Sequence, residues 1–196
     1  MLESDRLMQS DFHIHHNRMQ DDHSSPSTLV WQLVNVIMTV FFGLAAFVNL
    51  NDDDWYIWVP GYAVPGILSL TAAVKPSIAK TAVWGSIAVV DFTLSCAYAV
   101  YAVVITLEAL GHQVANPLQH EEGREMGGVF IIIFWLGIAR FTNIGRPGTS
   151  INNKNMMNAL LLMTITLTLL PLLTWSLCFV SDWHTKLAHC NNMFTH

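Results

Sequence analysis

The chain has 196 residues, of which 53% are hydrophobic and only 12% charged, and its formal charge is −5. The charged share is about half that of an average soluble domain; with a mean hydropathy of +0.41 the composition points to lipid as the solvent and the bilayer as the main partner. No basic cluster is present of the kind that nucleic-acid binding requires, so nucleic acid is excluded as a partner.

Residues 1–28 are polar, rich in Ser and His, and end in "HSSPST". They hold no short apolar core followed by a small-residue cleavage site, so no cleaved signal peptide is expected. Their composition predicts a disordered tail. Its "HIHH" (His13, His15, His16) is a pattern that captures transition metals, although a mobile tail supplies no fixed geometry for one.

A helix needs about 20 apolar residues to cross a bilayer core roughly 30 Å thick. Residues 29–50, 55–73, 82–107 and 156–180 meet that length. Between the first two lies "NDDD", where Asp52, Asp53 and Asp54 crowd a short turn. Asp53 or Asp54 is placed to cap the second helix and complement its dipole. Asp52 lies instead against the negative C-terminal end of the first helix, where a carboxylate is disfavoured, and is not well explained by capping. Trp55, Trp58 and Tyr62 follow as an aromatic belt at the membrane interface.

The third span carries Asp91, nine residues beyond Ala82 and therefore about 14 Å into the membrane. An ionisable group at that depth is a functional hypothesis by default. Its structural alternative is a protonated acid hydrogen-bonded to Ser95 one turn on. Thr39 and Thr166 lie at comparable depth, and Pro65 frees the Gly61 carbonyl, which together would make a polar seam. Cys96 and Cys178 sit in apolar runs as small buried hydrophobes, and with Cys190 they show no metal-type spacing.

The fourth apolar segment, "MGGVFIIIFWLGIA", covers only residues 126–139, about 21 Å of helix. To span it must borrow length, giving roughly 122–141. Either Arg140 snorkels and the helix runs on to Ile144, or the preceding "HEEGRE" is drawn toward membrane depth. On a helix, His120 with Arg124 and Glu121 with Glu125 form adjacent i,i+4 pairs, and Gly123 with Gly127 makes a small-xxx-small step for a close neighbour. Carboxylates gathered this way suit a hard cation such as calcium, magnesium or manganese, or pair with Arg124. The HExxH spacing of zinc proteases is absent, because position 124 is Arg. In the fifth span Pro171 should bend the helix and release the Leu167 carbonyl.

Seven of the nine Lys and Arg residues (Arg6, Arg18, Lys75, Lys80, Arg140, Arg146, Lys154) fall on one side of this arrangement, against Arg124 and Lys186 on the other. The positive-inside rule then puts the N-terminus in the cytoplasm and the C-terminal tail, residues 181–196, outside. Asp52, Asp53, Asp54, Glu121, Glu122, Glu125, Asp182, His112, His120 and His184 would share the extracytosolic face. The expected fold is all-α, a polytopic membrane protein built as a compact bundle of five transmembrane helices.

"FFGLAAFVNLNDDDWYIWVPGY", followed at a distance by "HEEGREMGG", resembles the transmembrane protein 220 family. Members of that family end the first span in Asn-Asp-Pro-Asp, have an aromatic-rich second span, and open the fourth with Glu-x-x-Arg-Glu. Asn51, Asp52 and Asp54 fall on the first motif, and Glu121, Arg124 and Glu125 on the second. Asp53 departs from it, standing where the family carries proline. The resemblance spans roughly residues 31–180. It implies a small multi-pass membrane protein and lends no biochemical activity.

Three functions fit these residues. The first is a binding or accessory membrane protein whose outer face, through Asp52, Asp54, Glu121 and Glu125 supported by Asn51 and Arg124, holds a cation or another membrane protein. The second is a small ion or proton-coupled transporter that uses Asp91. The third is an intramembrane carboxylate or metal-dependent enzyme, ranked last because no nucleophile with an oriented base is recognisable. No catalytic residue and no cofactor are assigned, and the identity of any metal is open.

Overall fold

The computed structural model describes residues 26–110, 121–142, 154–177 and 179, with the side chains of all of these except 106–110, 121–124 and 175. Among the described residues there are five α-helices and no strand: α1 (Pro26–Val48), α2 (Trp55–Val74), α3 (Ala82–Leu110), α4 (Glu121–Phe141) and α5 (Lys154–Leu177). Short 3-10 turns at Asn49–Asn51 and Pro76–Lys80 join α1 to α2 and α2 to α3. Residues 1–25 of the histidine-rich tail, His112, His120, Arg146, Cys178 and the C-terminal tail with Asp182, His184, Lys186 and Cys190 lie outside the described residues, whereas Pro26, Ser27 and Thr28, expected in the disordered tail, open α1.

Each long helix divides into a protein face and a lipid face. In α1, Trp31, Val34, Met38, Phe41 and Phe42 are buried at the i, i+3, i+4 spacing of one helical stripe, while Leu29, Leu33, Val36, Val40 and Leu44 point outward. In water such an outer stripe would be a liability; in hydrocarbon it is the solvated surface. Among the described residues, four helices are long and apolar enough to cross a membrane. Their Ser and Thr hydroxyls mostly donate to their own helix, as Thr39 does to the Asn35 carbonyl and Thr166 to the Leu162 carbonyl. Those two threonines therefore satisfy themselves locally and build no seam toward Asp91.

α4 is the exception in composition. Its 21 residues include four charges in the first five positions and Arg140 near the end. The helix takes in the acidic residues from Glu121 and stops at Phe141, so the alternative in which it runs on to Ile144 is not followed. At 1.5 Å per residue it is about 31 Å long, but with these charges it is not one of the four helices apolar enough to cross a membrane. Protein surrounds much of its middle, with Val129, Ile132, Trp135, Leu136 and Ala139 buried. Trp135 stacks on Trp31 of α1 at 5.7 Å between ring centroids and donates its indole N–H to Ser69 of α2 at 2.9 Å. The least apolar helix is thus held by its neighbours.

The two ends of the bundle are tied separately. At one, Gln32 of α1 donates to the Ala73 carbonyl of α2 at 2.9 Å, and Trp84 of α3 to the Leu68 carbonyl at 3.2 Å. At the other lie the Asn49–Trp55 turn, the end of α3 and the start of α4. That second end gathers the acidic motifs.

Candidate functional site at the acidic end

The chain leaves α1 through the Asn49–Asn51 turn, where the Asn49 side chain donates to the Ala45 carbonyl at 2.7 Å. Asp52 is extended (φ −80°, ψ 150°), and its carbonyl accepts from the Trp55 N–H at 3.1 Å. Asp54 holds the N-cap position of α2, but its carboxylate makes no capping bond. This corrects the expectation that Asp53 or Asp54 caps the helix. At φ −107° and ψ 24° Asp54 is outside the extended region from which a capping side chain reaches back to the first N–H groups. Backbone carbonyls take that role, Asp54 accepting from Ile57 at 2.9 Å. Asp53 is exposed.

Freed from capping, the Asp54 carboxylate accepts the indole N–H of Trp58 at 2.7 Å, one turn along α2. Trp58 is buried, stacks on Tyr62 at 6.0 Å, and meets Tyr98 of α3 edge-on at 5.1 Å and 85°. The Tyr98 hydroxyl donates to Glu125 of α4 at 2.9 Å. Asp54 also interacts electrostatically with the Tyr98 phenol, and Glu125 with that of Tyr62. Two carboxylates, one from the turn before α2 and one from α4, are therefore set around a frame of three aromatic rings. Charge-assisted bonds of this type are roughly twice as strong as neutral ones.

A glycine closes the frame. The Tyr62 ring lies so close to α4 that a Cβ at Gly128 would overlap its hydroxyl and come within 2.9 Å of Cζ. The close approach expected at Gly127 is not made there: a Cβ at that position meets nothing within 4 Å. Gly127 and Gly128 differ by 100° around the helix, and Gly128 is the one facing α2. The side chain of Gly123's neighbour Arg124, like those of Glu121 and Glu122, lies outside the described residues. Asn51 is exposed and Asp52 partly buried in the turn.

Trp58, Tyr62, Tyr98 and Gly128 join the site beyond the acidic motifs themselves. Trp58 is four residues after Asp54, so the donor was on the right face of the helix. Tyr98 is the first aromatic of "YAVY" at the far end of the third span, at belt depth. Around this end Trp55, Tyr56 and Tyr101 remain exposed. Among the described residues no group of three or more His, Cys, Asp or Glu stands close enough to hold a metal ion.

Asp91 takes no part in this end. Its Oδ2 is buried without a hydrogen-bond partner among the described residues, so the expected bond to Ser95 is not made. Ser95 lies on the buried face of α3 with Ala88 and Ala99, whereas Asp91 stands at the margin of that face.

Residues 41–141 match the model of the family described as "Transmembrane family 220, helix". The chain is 36% identical over 111 residues to a protein of Xenopus laevis named "Transmembrane protein 220". That alignment covers 57% of this chain and 59% of the relative's length. No solved structure matches.

Proposed function

The chain belongs to transmembrane family 220, and on that premise we propose that this integral membrane protein works as a binding or accessory protein through its acidic end. The observation that carries the reading is the convergence of Asp54 and Glu125 on Trp58 and Tyr98. Negative charge fixed beside aromatic faces, with Trp55, Tyr56 and Tyr101 exposed around it, is suited to a cationic group. That group is either a metal cation completed by Asp52 and Glu121, with Asn51 and Arg124 as support, or the basic flank of another membrane protein. The distribution of Lys and Arg supports an N-terminus in the cytoplasm, which turns the acidic end outward.

Thermal melting of the purified full chain with increasing calcium, magnesium or manganese tests the ion arm, since a bound cation raises the midpoint with concentration. A photo-crosslinker at Tyr101 in native membranes tests the protein arm, and Asp54→Asn with Glu125→Gln should abolish either signal. If the wild type gives neither a cation-dependent shift nor an adduct, the binding reading fails. Orientation is checked by thiol labelling in sealed membranes of Gln20→Cys and Ser150→Cys against Gln113→Cys and native Cys190. Labelling of all four from one side would contradict it.

One observation favours a second reading. A buried carboxylate oxygen without a hydrogen-bond partner among the described residues, as in Asp91, is the kind of group that carries protons or cations in membrane transporters. In reconstituted vesicles Asp91→Asn should then abolish a proton- or cation-dependent flux. Absence of any such flux in the wild type would remove this reading.

A further inference from the structure

At the end of the bundle opposite Asp54 and Glu125, a groove of about 570 Å³ opens between the Pro76–Lys80 turn, the first turns of α3 and the last turn of α4. Lys80 and Arg140 line it from separate segments, with Thr81, Ser86, Val89 and Val90. We propose that this groove binds the phosphate-bearing headgroup of an anionic membrane lipid, with Arg140 and Lys80 as its cations and the lipid chain against Val89 and Val90. The inference is independent of the reading given to the acidic end.

Arg140 is positioned for this by two contacts. Its guanidinium lies against the α3 backbone at Gly85, where an added Cβ would stand 3.2 Å from Nε, and its Cζ is 5.9 Å from the Phe141 ring centroid. The planar fork of Arg matches phosphate oxygens in a way that a point charge does not. The groove also borders the N-terminal end of α3, the positive end of a 29-residue helix. There Thr81 accepts from the Trp84 N–H at 3.3 Å while donating to the Ile78 carbonyl at 2.8 Å. No carboxylate lines the groove among the described residues.

The occupant is a lipid rather than a soluble anion because of what continues from the charged part. Val90 is exposed, as are Val83 and Ile87 on the same stretch of α3, so the groove opens onto the lipid-facing surface. A free phosphate would meet only the charged part of the groove. A phospholipid can place its headgroup there and its chains along the hydrocarbon-facing valines, and basic pockets at helix ends attract anionic headgroups in this way.

The test uses the full chain in phosphatidylcholine nanodiscs titrated with phosphatidylglycerol, with bound lipid read by native mass spectrometry and folding by thermal melting. The wild type should retain phosphatidylglycerol in preference to phosphatidylcholine. Lys80→Gln should weaken that retention roughly 5-fold and Lys80→Gln with Arg140→Gln roughly 30-fold, from the usual worth of a basic residue near an anionic surface. Ser86→Trp, at an exposed position, should block the groove without touching a charge, and keeps the test open if Arg140→Gln fails to fold. Lys75→Gln, outside the groove, should change retention less than about 2-fold. Three results would overturn the proposal: no lipid preference in the wild type, equal loss from Lys75→Gln and Lys80→Gln, or full displacement of the lipid by inorganic phosphate.

Discussion

The two ends of this bundle carry opposite charge and handle it in opposite ways. At the acidic end each described carboxylate of the pair is engaged: Asp54 by the Trp58 indole and Glu125 by the Tyr98 phenol. The rings that supply those donors are themselves packed together and pressed onto Gly128. At the basic end Lys80 is exposed and Arg140 lies along one wall of an open groove. Charge at the acidic end is fixed in place by an aromatic frame that also ties helices together, whereas charge at the basic end lies along an open groove.

The contrast is most easily broken at the glycines. Gly128→Ala should cost about 1–3 kcal/mol in reversible unfolding from mixed micelles, the range for overpacking a filled site. Tyr62→Phe in the same background should recover part of the loss, because it removes the overlapping hydroxyl. Gly127→Ala, one residue away but facing open space, should be neutral within about 0.5 kcal/mol. Equal costs at the two positions would mean that the Tyr62 contact is wrongly assigned.

An effect of similar size is expected from the donors. Trp58→Phe keeps the ring stack and removes the N–H that Asp54 accepts, so stability should fall by about 1.5–3 kcal/mol, as for a lost hydrogen bond to a charged group. Asp54→Asn, which retains an acceptor oxygen, should cost less. Were Asp54→Asn the more damaging of the two, the carboxylate would be serving something other than Trp58. The smallest change belongs to the basic end. Gly85→Ala meets only the guanidinium end of a flexible side chain, and should stay within about 0.5 kcal/mol of wild type by the same unfolding assay. A cost matching that of Gly128→Ala would erase the distinction between the ends.

Much of the fold could be read from residues alone, because membrane thickness converts apolar run length directly into helices. The short fourth segment is a helix as its pattern suggests, and that helix includes the acidic residues from Glu121 onward. The site was less legible. Capping was the nearest explanation for the aspartates because it needs only neighbouring backbone, yet the Asp54 backbone angles and the Trp58 side chain four residues on decide otherwise. Choosing between Gly127 and Gly128 requires the angular register of α4 against α2, which no local pattern fixes. Trp135 meeting Ser69, 66 residues apart, is a contact of packing alone. Asp91 shows the limit from the other side: Ser95 is in range by sequence, yet Ser95 is buried with Ala88 and Ala99 while Asp91 is only partly buried and makes no bond to it.

The central claim is that α3 and α4 are joined at the acidic end through Tyr98 and Glu125. A double-mutant cycle with Tyr98→Phe and Glu125→Gln, read by reversible unfolding of the full chain, measures that link directly. The account predicts a coupling of about 1 kcal/mol or more, as expected for residues in direct hydrogen-bond contact. Additive single and double variants, within about 0.3 kcal/mol, would contradict it.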